Sequence, residues 1–282
     1  MTCGVCMPIQ HIYVENFKSF SRIDLDISRF HVVIGSNAAG KSNFISIFKF
    51  LRDIAKYGII NAIAMQGGTE YLQNTKIGAL HDLKIKVDFQ PDQNLDVLEL
   101  QDAGISYLAI QPCLSSYEFA LRFTKKGDGF SITKDRIILG CEVLSCKREN
   151  EHCIDKQSIG YGEIRVTSEG GKITYAIDLP EGCPVSEKDI IPLCFRGKHL
   201  TEKTLLLETP YAFSLTLGEK FFDRIAVYDI DPKLTKKGVA ITGKRELEED
   251  AGNLALVLKN IIGDPEKKTE IFKPVKRCSS LY

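Results

Sequence analysis

The feature that most constrains this chain is a glycine-bounded stretch at residues 35–42, which reads G-S-N-A-A-G-K-S and fits G-x-x-x-x-G-K-[ST] in full. Glycines let the backbone turn tightly, so that successive N–H groups can converge on phosphate oxygens. In this pattern Lys41 reaches the β- and γ-phosphates and the Ser42 hydroxyl binds Mg²⁺, beside the positive end of the following helix. The stretch therefore predicts a P-loop for ATP and Mg²⁺.

The flanking sequence supplies the context that a P-loop needs. Residues 30–34 (F-H-V-V-I) are a short, nearly continuous apolar run, which predicts a buried strand in a covered sheet. Apolar residues then recur every three or four positions from Lys41 to Tyr57, which predicts an amphipathic helix that stops at Gly58. A second short helix is expected over residues 59–65.

The remainder of the chain alternates mainly between apolar and polar residues. Residues 9–20 and 23–27 indicate strands, and the alternation from 83 to 177, broken by glycine-rich turns, indicates antiparallel hairpins. A strand is expected at 225–228 and a helix at 247–262. These patterns predict an α/β fold in three parts: a P-loop core at 1–82, an inserted antiparallel β subdomain at 83–215, and a return segment at 216–282.

Three elements carry a resemblance to a known family: N-F-K-S-F at residues 16–20, the strand at 23–27, and residues 32–43 around the glycine loop. Together they resemble the amino-terminal half of the SMC/RecF/OLD-type ATPases, which are ABC-class P-loop proteins. Later segments are similar in style to small AAA-like members of that group. The resemblance implies an ABC-ATPase-like mixed sheet.

The resemblance also implies which residues line the nucleotide site. The candidates are Gly35, Ser36, Asn37, Ala38, Ala39, Gly40, Lys41, Ser42 and Asn43, with Ser42 as the Mg²⁺ ligand. Lys18 lies on a loop that approaches the nucleotide in the family, although a solvated turn lysine explains it equally well. A magnesium-binding glutamine should follow, and both Gln90 and Gln111 are possible.

An ABC-class ATPase needs further motifs, and the sequence offers only weak likenesses to them. These are S-E-G-G at 168–171 for the signature, I-A-V-Y-D at 225–229 for the magnesium strand, and L-L-L-E at 205–208. Structural roles explain all three better, since none has the required flanking residues. The chain is therefore expected to contain the ATP-binding half of an ABC-type ATPase head. The domain is expected to be incomplete at the C-terminus, where the half with the hydrolytic motifs is missing. Its missing neighbours should leave an apolar face exposed near residues 30–34.

Several partners follow from this interpretation. The resemblance implies ATP sandwiched with a second head in a homodimer, or a separate chain that supplies the missing half, and it implies DNA repair or defence by analogy alone. ATPase activity is uncertain because the hydrolytic motifs are absent. One alternative is a non-hydrolysing, nucleotide-binding switch that works with a second polypeptide. Another is an incomplete gene product.

Composition limits the other function classes. Lys plus Arg (37) balances Asp plus Glu (37), so no global field attracts nucleic acid, and the basic cluster at 236–245 is better explained as a solvated loop. No apolar run approaches the 18 residues of a membrane span, and no secretory signal opens the sequence. These observations predict a cytoplasmic protein.

The nine cysteines offer little support for a metal site. An odd number without an export signal favours reduced thiols over a disulfide framework. Cys3 and Cys6 have the C-x-x-C spacing that suits zinc, but a tetrahedral site needs four ligands and no second pair exists. Cys141, Cys146, His152 and Cys153 have suitable chemistry but loose spacing, so ordinary cysteines explain them better.

Overall fold

The computed structural model describes residues 9–90, 98–101, 107–124, 129–149, 152–181, 183, 199–209, 222–236 and 246–265. They belong to two compact units, Met1–Ile225 and Ala226–Tyr282. The strands are β1 (Ile9–Phe17), β2 (Phe20–Asp26), β3 (Leu83–Phe89), β4 (Leu98–Gln101), β5 (Tyr107–Phe123), β6 (Phe130–Glu149), β7 (His152–Glu169) and β8 (Lys172–Asp178). The helices are α1 (Lys41–Tyr57), α2 (Ile59–Met65), α3 (Thr69–Leu72) and α4 (Leu254–Ile262).

One sheet organises the first unit. Its strands lie in the order β2-β1-β3-β5-β6-β7-β8, and β4 pairs with β5. Every described pairing is antiparallel, as the alternating segments predict. Strand β1 pairs with β3 across the boundary expected between residues 82 and 83, so both sides of that boundary contribute to one sheet. The three-part division of the chain stays a prediction.

The inner face of the sheet packs against α1. Phe50 on this helix lies between two strand aromatics, with ring centroids 6.0 Å from Phe17 and 6.5 Å from Phe119. Leu51 and Ile54 are fully buried beside it. The helix begins at Lys41 and ends at Gly58, whose N–H donates to the Ile54 carbonyl, and both predicted ends are confirmed. The predicted helix at 59–65 is also confirmed.

The outer face of the sheet is polar and carries cross-strand ion pairs. Glu15 on β1 accepts from Lys84 on β3 at 2.8 Å, and Glu118 on β5 accepts from Lys134 and Arg136 on β6. One apolar and one charged face is the pattern of an antiparallel sheet that is covered on one side. The polar positions of the alternating segments therefore face solvent, as their period of two predicts.

Tight turns join the strands where the sequence supplies permissive residues. Gly170 and Gly171 both adopt positive φ angles, 55° and 81°, in the two-residue turn between β7 and β8. A side chain at Gly171 would be obstructed, because a Cβ there would lie 2.2 Å from the Leu200 carbonyl oxygen. The predicted hairpin at this position is confirmed.

A buried polar cluster links the sheet to the junction between α1 and α2. Asp135 accepts hydrogen bonds from the Tyr117 hydroxyl at 3.0 Å and from the Leu206 N–H at 2.7 Å. Burial, together with the negative charge of the nearby Glu208, raises the pKa of the Asp135 carboxyl to about 7. Burial likewise raises the pKa of Glu208, which accepts from the N–H groups of Leu205 and Ile59. The cluster therefore fixes the start of α2 against β5 and β6.

Two predicted strands are wrong. Residues 30–34 form no strand, and their apolar side chains are exposed, including Phe30 at 81% and Ile34 at 87%. An apolar run predicts burial only where neighbouring strands cover it, and none of the described strands pairs with this one. The mixed sheet that the resemblance implied is therefore absent from the described pairings, which are all antiparallel. Residues 225–228 likewise belong to no helix or strand.

In the second unit, α4 begins later than predicted. The sequence predicts a helix from residue 247, but the helix starts at Leu254 because Asn253 holds the preceding residues in turns. Its side chain accepts from the Glu248 N–H at 2.9 Å and donates to the Glu246 carbonyl at 2.8 Å. The predicted end at Gly263 is confirmed.

The described cysteines are not all in the same oxidation state. Cys113, Cys141 and Cys183 are free thiols, whereas Cys146 is disulfide-bonded, so the prediction of reduced thiols fails at that residue.

Within the described ranges, no group of three or more His, Cys, Asp or Glu side chains could hold a metal ion. The C-x-x-C pair, Cys3 and Cys6, lies outside those ranges. No described helix has the length and apolar character that a membrane crossing requires.

Candidate functional site

The glycine-bounded loop leads directly into α1. Ala38 and Gly40 adopt left-handed backbone conformations, with φ angles of 63° and 95°, and the Ala39 N–H donates to the Ser36 carbonyl. The helix then starts at Lys41, and the Phe44 N–H donates to the Gly40 carbonyl at 2.9 Å. Residues 35–39 are exposed. The loop thus forms an open turn at the N-terminus of a long helix, where peptide dipoles favour an anion.

Gly40 is the point at which the loop is most tightly packed. A Cβ on this residue would lie 3.1 Å from both the Ser19 hydroxyl oxygen and the Phe20 ring. Since its φ angle is also left-handed, glycine is favoured here by both space and conformation. The second glycine of the motif therefore serves a close approach between the loop and the turn that joins β1 to β2.

Lys41 folds back over its own loop. Its ammonium donates to the Gly35 carbonyl at 2.8 Å and to the Ser36 carbonyl at 2.7 Å. These acceptors are neutral, and a phosphate oxygen is a stronger partner for an ammonium group because the hydrogen bond is then charge-assisted. The ammonium is thus held at the loop by contacts that an incoming phosphate can replace.

Ser42 and Asn43 occupy the first turn of α1 but have different surroundings. Ser42 is exposed, and its backbone carbonyl accepts from the Ser46 hydroxyl at 2.8 Å. The Asn43 side-chain amide donates to the Ser19 hydroxyl oxygen at 2.8 Å. The predicted metal ligand therefore faces solvent next to the loop, whereas Asn43 is bonded to the β1–β2 turn.

Lys18 lies in the same turn, but its ammonium is bonded elsewhere. It donates to the Gln66 side-chain oxygen at 2.7 Å, after the end of α2, and its backbone N–H donates to the Leu72 carbonyl at 2.7 Å. Burial lowers the pKa of Lys18, and the nearby Lys49 lowers it further. The structure therefore places Lys18 against the α2–α3 region rather than on the glycine loop.

The two glutamine candidates lie in different settings. Gln90 directly follows β3, where its side-chain oxygen accepts from the Gln10 amide at 3.3 Å. Gln111 lies within β5, paired with Glu142, and not in the loop that the resemblance requires. No described hydrogen bond connects either residue to the glycine loop, so the identity of a magnesium-binding glutamine stays a prediction at both positions.

The weak motif likenesses have structural roles, as expected. Residues 168–171 form the β7–β8 turn without a following helix. Leu206–Glu208 is a short 3₁₀ turn, with Glu208 bonded to the Leu205 N–H. Residues 225–229 contain no strand. None of these segments has the form of a hydrolytic motif.

Asn16 is a residue whose importance the sequence does not reveal. It is buried, has a φ angle of 55°, and donates to the carbonyls of Gly78 at 3.1 Å and His81 at 2.7 Å. Its side-chain oxygen accepts from the Asn74 N–H at 3.0 Å. It thereby ties the connection before β3 to the end of β1, directly beside the turn that contacts Gly40. Two local signals were present: the tolerance of asparagine for positive φ, and the place of Asn16 at the start of the N-F-K-S-F segment.

Comparison with protein families gives a match to an ATPase domain. A family model described as an AAA ATPase domain matches residues 7–179, more than half of the chain. The matched range contains the glycine loop, α1 and all eight strands of the sheet. No curated protein matches the chain.

Proposed function

This chain belongs to the AAA ATPase domain family, and from that premise we propose that residues 35–43 bind ATP together with Mg²⁺. Such domains bind ATP and Mg²⁺, and the exposed loop ahead of a 17-residue helix is suited to phosphate. The observation that carries the proposal is the position of Lys41, whose ammonium lies over two carbonyls of the loop at 2.7–2.8 Å.

The residues of the loop fit this ligand. Gly40 keeps the turn free of a side chain at the point of closest packing, and Lys41 can exchange carbonyl oxygens for phosphate oxygens within the same loop. The exposed Ser42 hydroxyl is the oxygen donor that the motif provides for Mg²⁺, which prefers oxygen ligands. When bound, Mg²⁺ would offset phosphate charge at this point.

The finer assignment is an SMC/RecF/OLD-like, ABC-class head. Support comes from the N-F-K-S-F segment, because its Ser19 and Phe20 pack against Gly40 and its Ser19 also accepts from Asn43. In such a head, ATP would be held between two subunits, and hydrolysis would need signature and Asp-Glu motifs that these 282 residues do not contain. A role in DNA repair or defence, and a cytoplasmic location, rest on analogy and sequence alone.

The second candidate function is a nucleotide-binding switch that works with another polypeptide. The observation that favours it is the exposed apolar segment at residues 30–34, immediately before the loop. Phe30, Val32 and Ile34 are each more than half exposed, and exposed apolar surface of this kind marks interaction sites. Under this proposal, a partner that covers the segment would sense whether the adjacent loop holds nucleotide.

Calorimetric titration of the purified chain with ATP and Mg²⁺ tests the main proposal. We expect saturable binding with one nucleotide per chain, and weaker binding of AMP, which lacks the β- and γ-phosphates that Lys41 would contact. Equal affinity for AMP would show that the loop does not bind the β- and γ-phosphates. The absence of any saturable ATP binding at millimolar concentration would refute the function itself.

A further inference from the structure

The turn between β1 and β2 packs directly against the proposed nucleotide site. The Ser19 hydroxyl oxygen lies 3.1 Å from the place where a Gly40 side chain would begin, and the Phe20 ring lies equally close. The same hydroxyl oxygen accepts a hydrogen bond of 2.8 Å from the Asn43 amide. Ser19 thus contacts the end of the loop and the first turn of α1 together.

The other side of this turn is also fastened. The Lys18 N–H donates to the Leu72 carbonyl, and its ammonium donates to Gln66, each at 2.7 Å. Two residues before Lys18, the buried Asn16 side chain donates to the carbonyls of Gly78 and His81. Because the turn is anchored on the α2–α3 side, the Ser19 hydroxyl has a fixed position from which to orient Asn43.

We propose that Ser19 is a positioning residue for the nucleotide site, acting through Asn43 and without contact to the nucleotide. The inference rests on the proposed ATP function of the loop. The Ser19 hydroxyl holds the Asn43 amide away from alternative rotamers. The loop and the first helical turn are therefore ordered before ATP arrives. A preorganised site binds more tightly because less ordering is required at the moment of binding.

A double-mutant cycle on ATP affinity tests this role, with Mg²⁺ and ATP as the titrated ligand. Ser19→Ala should raise Kd about fivefold, the effect of one ordinary hydrogen bond. Asn43→Ala should raise it at least as much, and the double variant should be no weaker than Asn43→Ala alone. Ser19→Thr, which keeps the hydroxyl, should restore most of the affinity. Ser21→Ala removes an exposed serine on β2 and serves as the matched control.

The outcomes separate this inference from the function on which it rests. If the wild-type chain binds ATP and Ser19→Ala binds it equally well, Ser19 has no positioning role while the function stands. Additive losses in the double variant would also overturn the inference, because they show that the two side chains act independently. If Ser19→Ala lowers the melting temperature without nucleotide, its own loss of affinity no longer identifies a positioning role. The proposal then stands if Ser19→Thr keeps most of the ATP affinity and Asn43→Ala loses it. It falls if Asn43→Ala binds ATP as tightly as the wild type does. If the wild type binds no ATP, both proposals fall.

Discussion

The ammonium group of Lys41 donates a hydrogen bond of 2.8 Å to the carbonyl oxygen of Gly35, the first residue of the same loop. The side chain therefore spans the loop from its last residues to its first. Its positive charge lies where the backbone turn is open to solvent, and the neutral carbonyl is a replaceable partner. This contact makes Lys41 the side chain with the largest expected effect on nucleotide binding.

Replacement of Lys41 by alanine should weaken ATP binding by about 100-fold or more, since it removes the charge that offsets the phosphates. Calorimetric titration measures the change. Lys56→Ala, an exposed lysine in the last turn of the same helix, is the matched control and should bind as the wild type does. Unchanged affinity of Lys41→Ala would place the nucleotide elsewhere.

Purified alone, the 282-residue chain should hydrolyse ATP negligibly. The segments that resemble hydrolytic motifs are a hairpin turn, a 3₁₀ turn and a stretch without strand structure, and none offers a base beside the loop. A phosphate-release assay at saturating ATP provides the measurement. Turnover of about 1 per second or faster would reveal a catalytic base that the described residues do not show.

The buried Asp135 should make stability depend on pH in an uncommon direction. Its folded-state pKa of about 7 exceeds that of an unfolded aspartate, so the folded state holds the proton more tightly. The stabilising contribution is complete below the unfolded pKa and is lost as pH rises through about 7. The free energy of unfolding should therefore fall by roughly 2–3 kcal/mol from pH 5 to pH 8 through this group.

Urea denaturation of the wild type and of Asp135→Asn over that pH range measures the effect. The amide cannot titrate, so the variant should lose much less stability as pH rises. Glu208, whose pKa is also raised by burial, should leave a smaller dependence of the same sign. Identical pH profiles for the two proteins would show that Asp135 is ionised in the fold at neutral pH.

Asn16→Ala should destabilise the fold by about 2 kcal/mol, because the part-buried carbonyls of Gly78 and His81 and the buried Asn74 N–H would each lose a partner. Chemical denaturation gives the value, and Asn61→Ala, which removes one exposed bond to the Tyr57 carbonyl, is the control. Asn16→Gly distinguishes the bonds from the backbone conformation. Wild-type stability of the glycine variant would show that the φ angle of 55° is what matters.

Removal of zinc should leave the melting temperature unchanged, since no described group of side chains could hold a metal and the C-x-x-C pair lacks two further ligands. Thermal unfolding with and without a strong chelator, in the absence of nucleotide and Mg²⁺, measures this. A large fall in melting temperature would establish a structural metal that uses cysteines outside the described ranges.

Local patterns were sufficient for α1 and for the hairpins. The apolar spacing of α1 and the glycine at its end are both short-range signals, as are the alternation and paired glycines of the β7–β8 hairpin. The run at residues 30–34 was misjudged because an apolar segment is buried only if other strands cover it. That condition cannot be read from five residues.

The buried polar contacts that hold the fold together around the core join residues far apart in the sequence. Asn16 is 58 residues from Asn74, and Asp135 is 71 residues from Leu206, so no motif can relate them. Their polar side chains resemble ordinary surface residues until the fold buries them. The glycine loop was recognisable as a candidate phosphate site because the glycines, lysine and serine of its motif lie within eight consecutive positions.

The longest strands extend well beyond the main core. The 20 residues of β6 would span about 65 Å if straight, whereas the 17 residues of α1 span about 25 Å. Among the described side chains towards the far end, Ala109, Leu144 and the disulfide-bonded Cys146 form a small buried cluster separate from the main core. Because this cluster is much smaller than the core around Phe119, deuterium from the solvent should replace the backbone amide protons there sooner than those around Phe119. Local opening of the sheet should therefore begin at its distal end, while the part that packs against α1 stays paired.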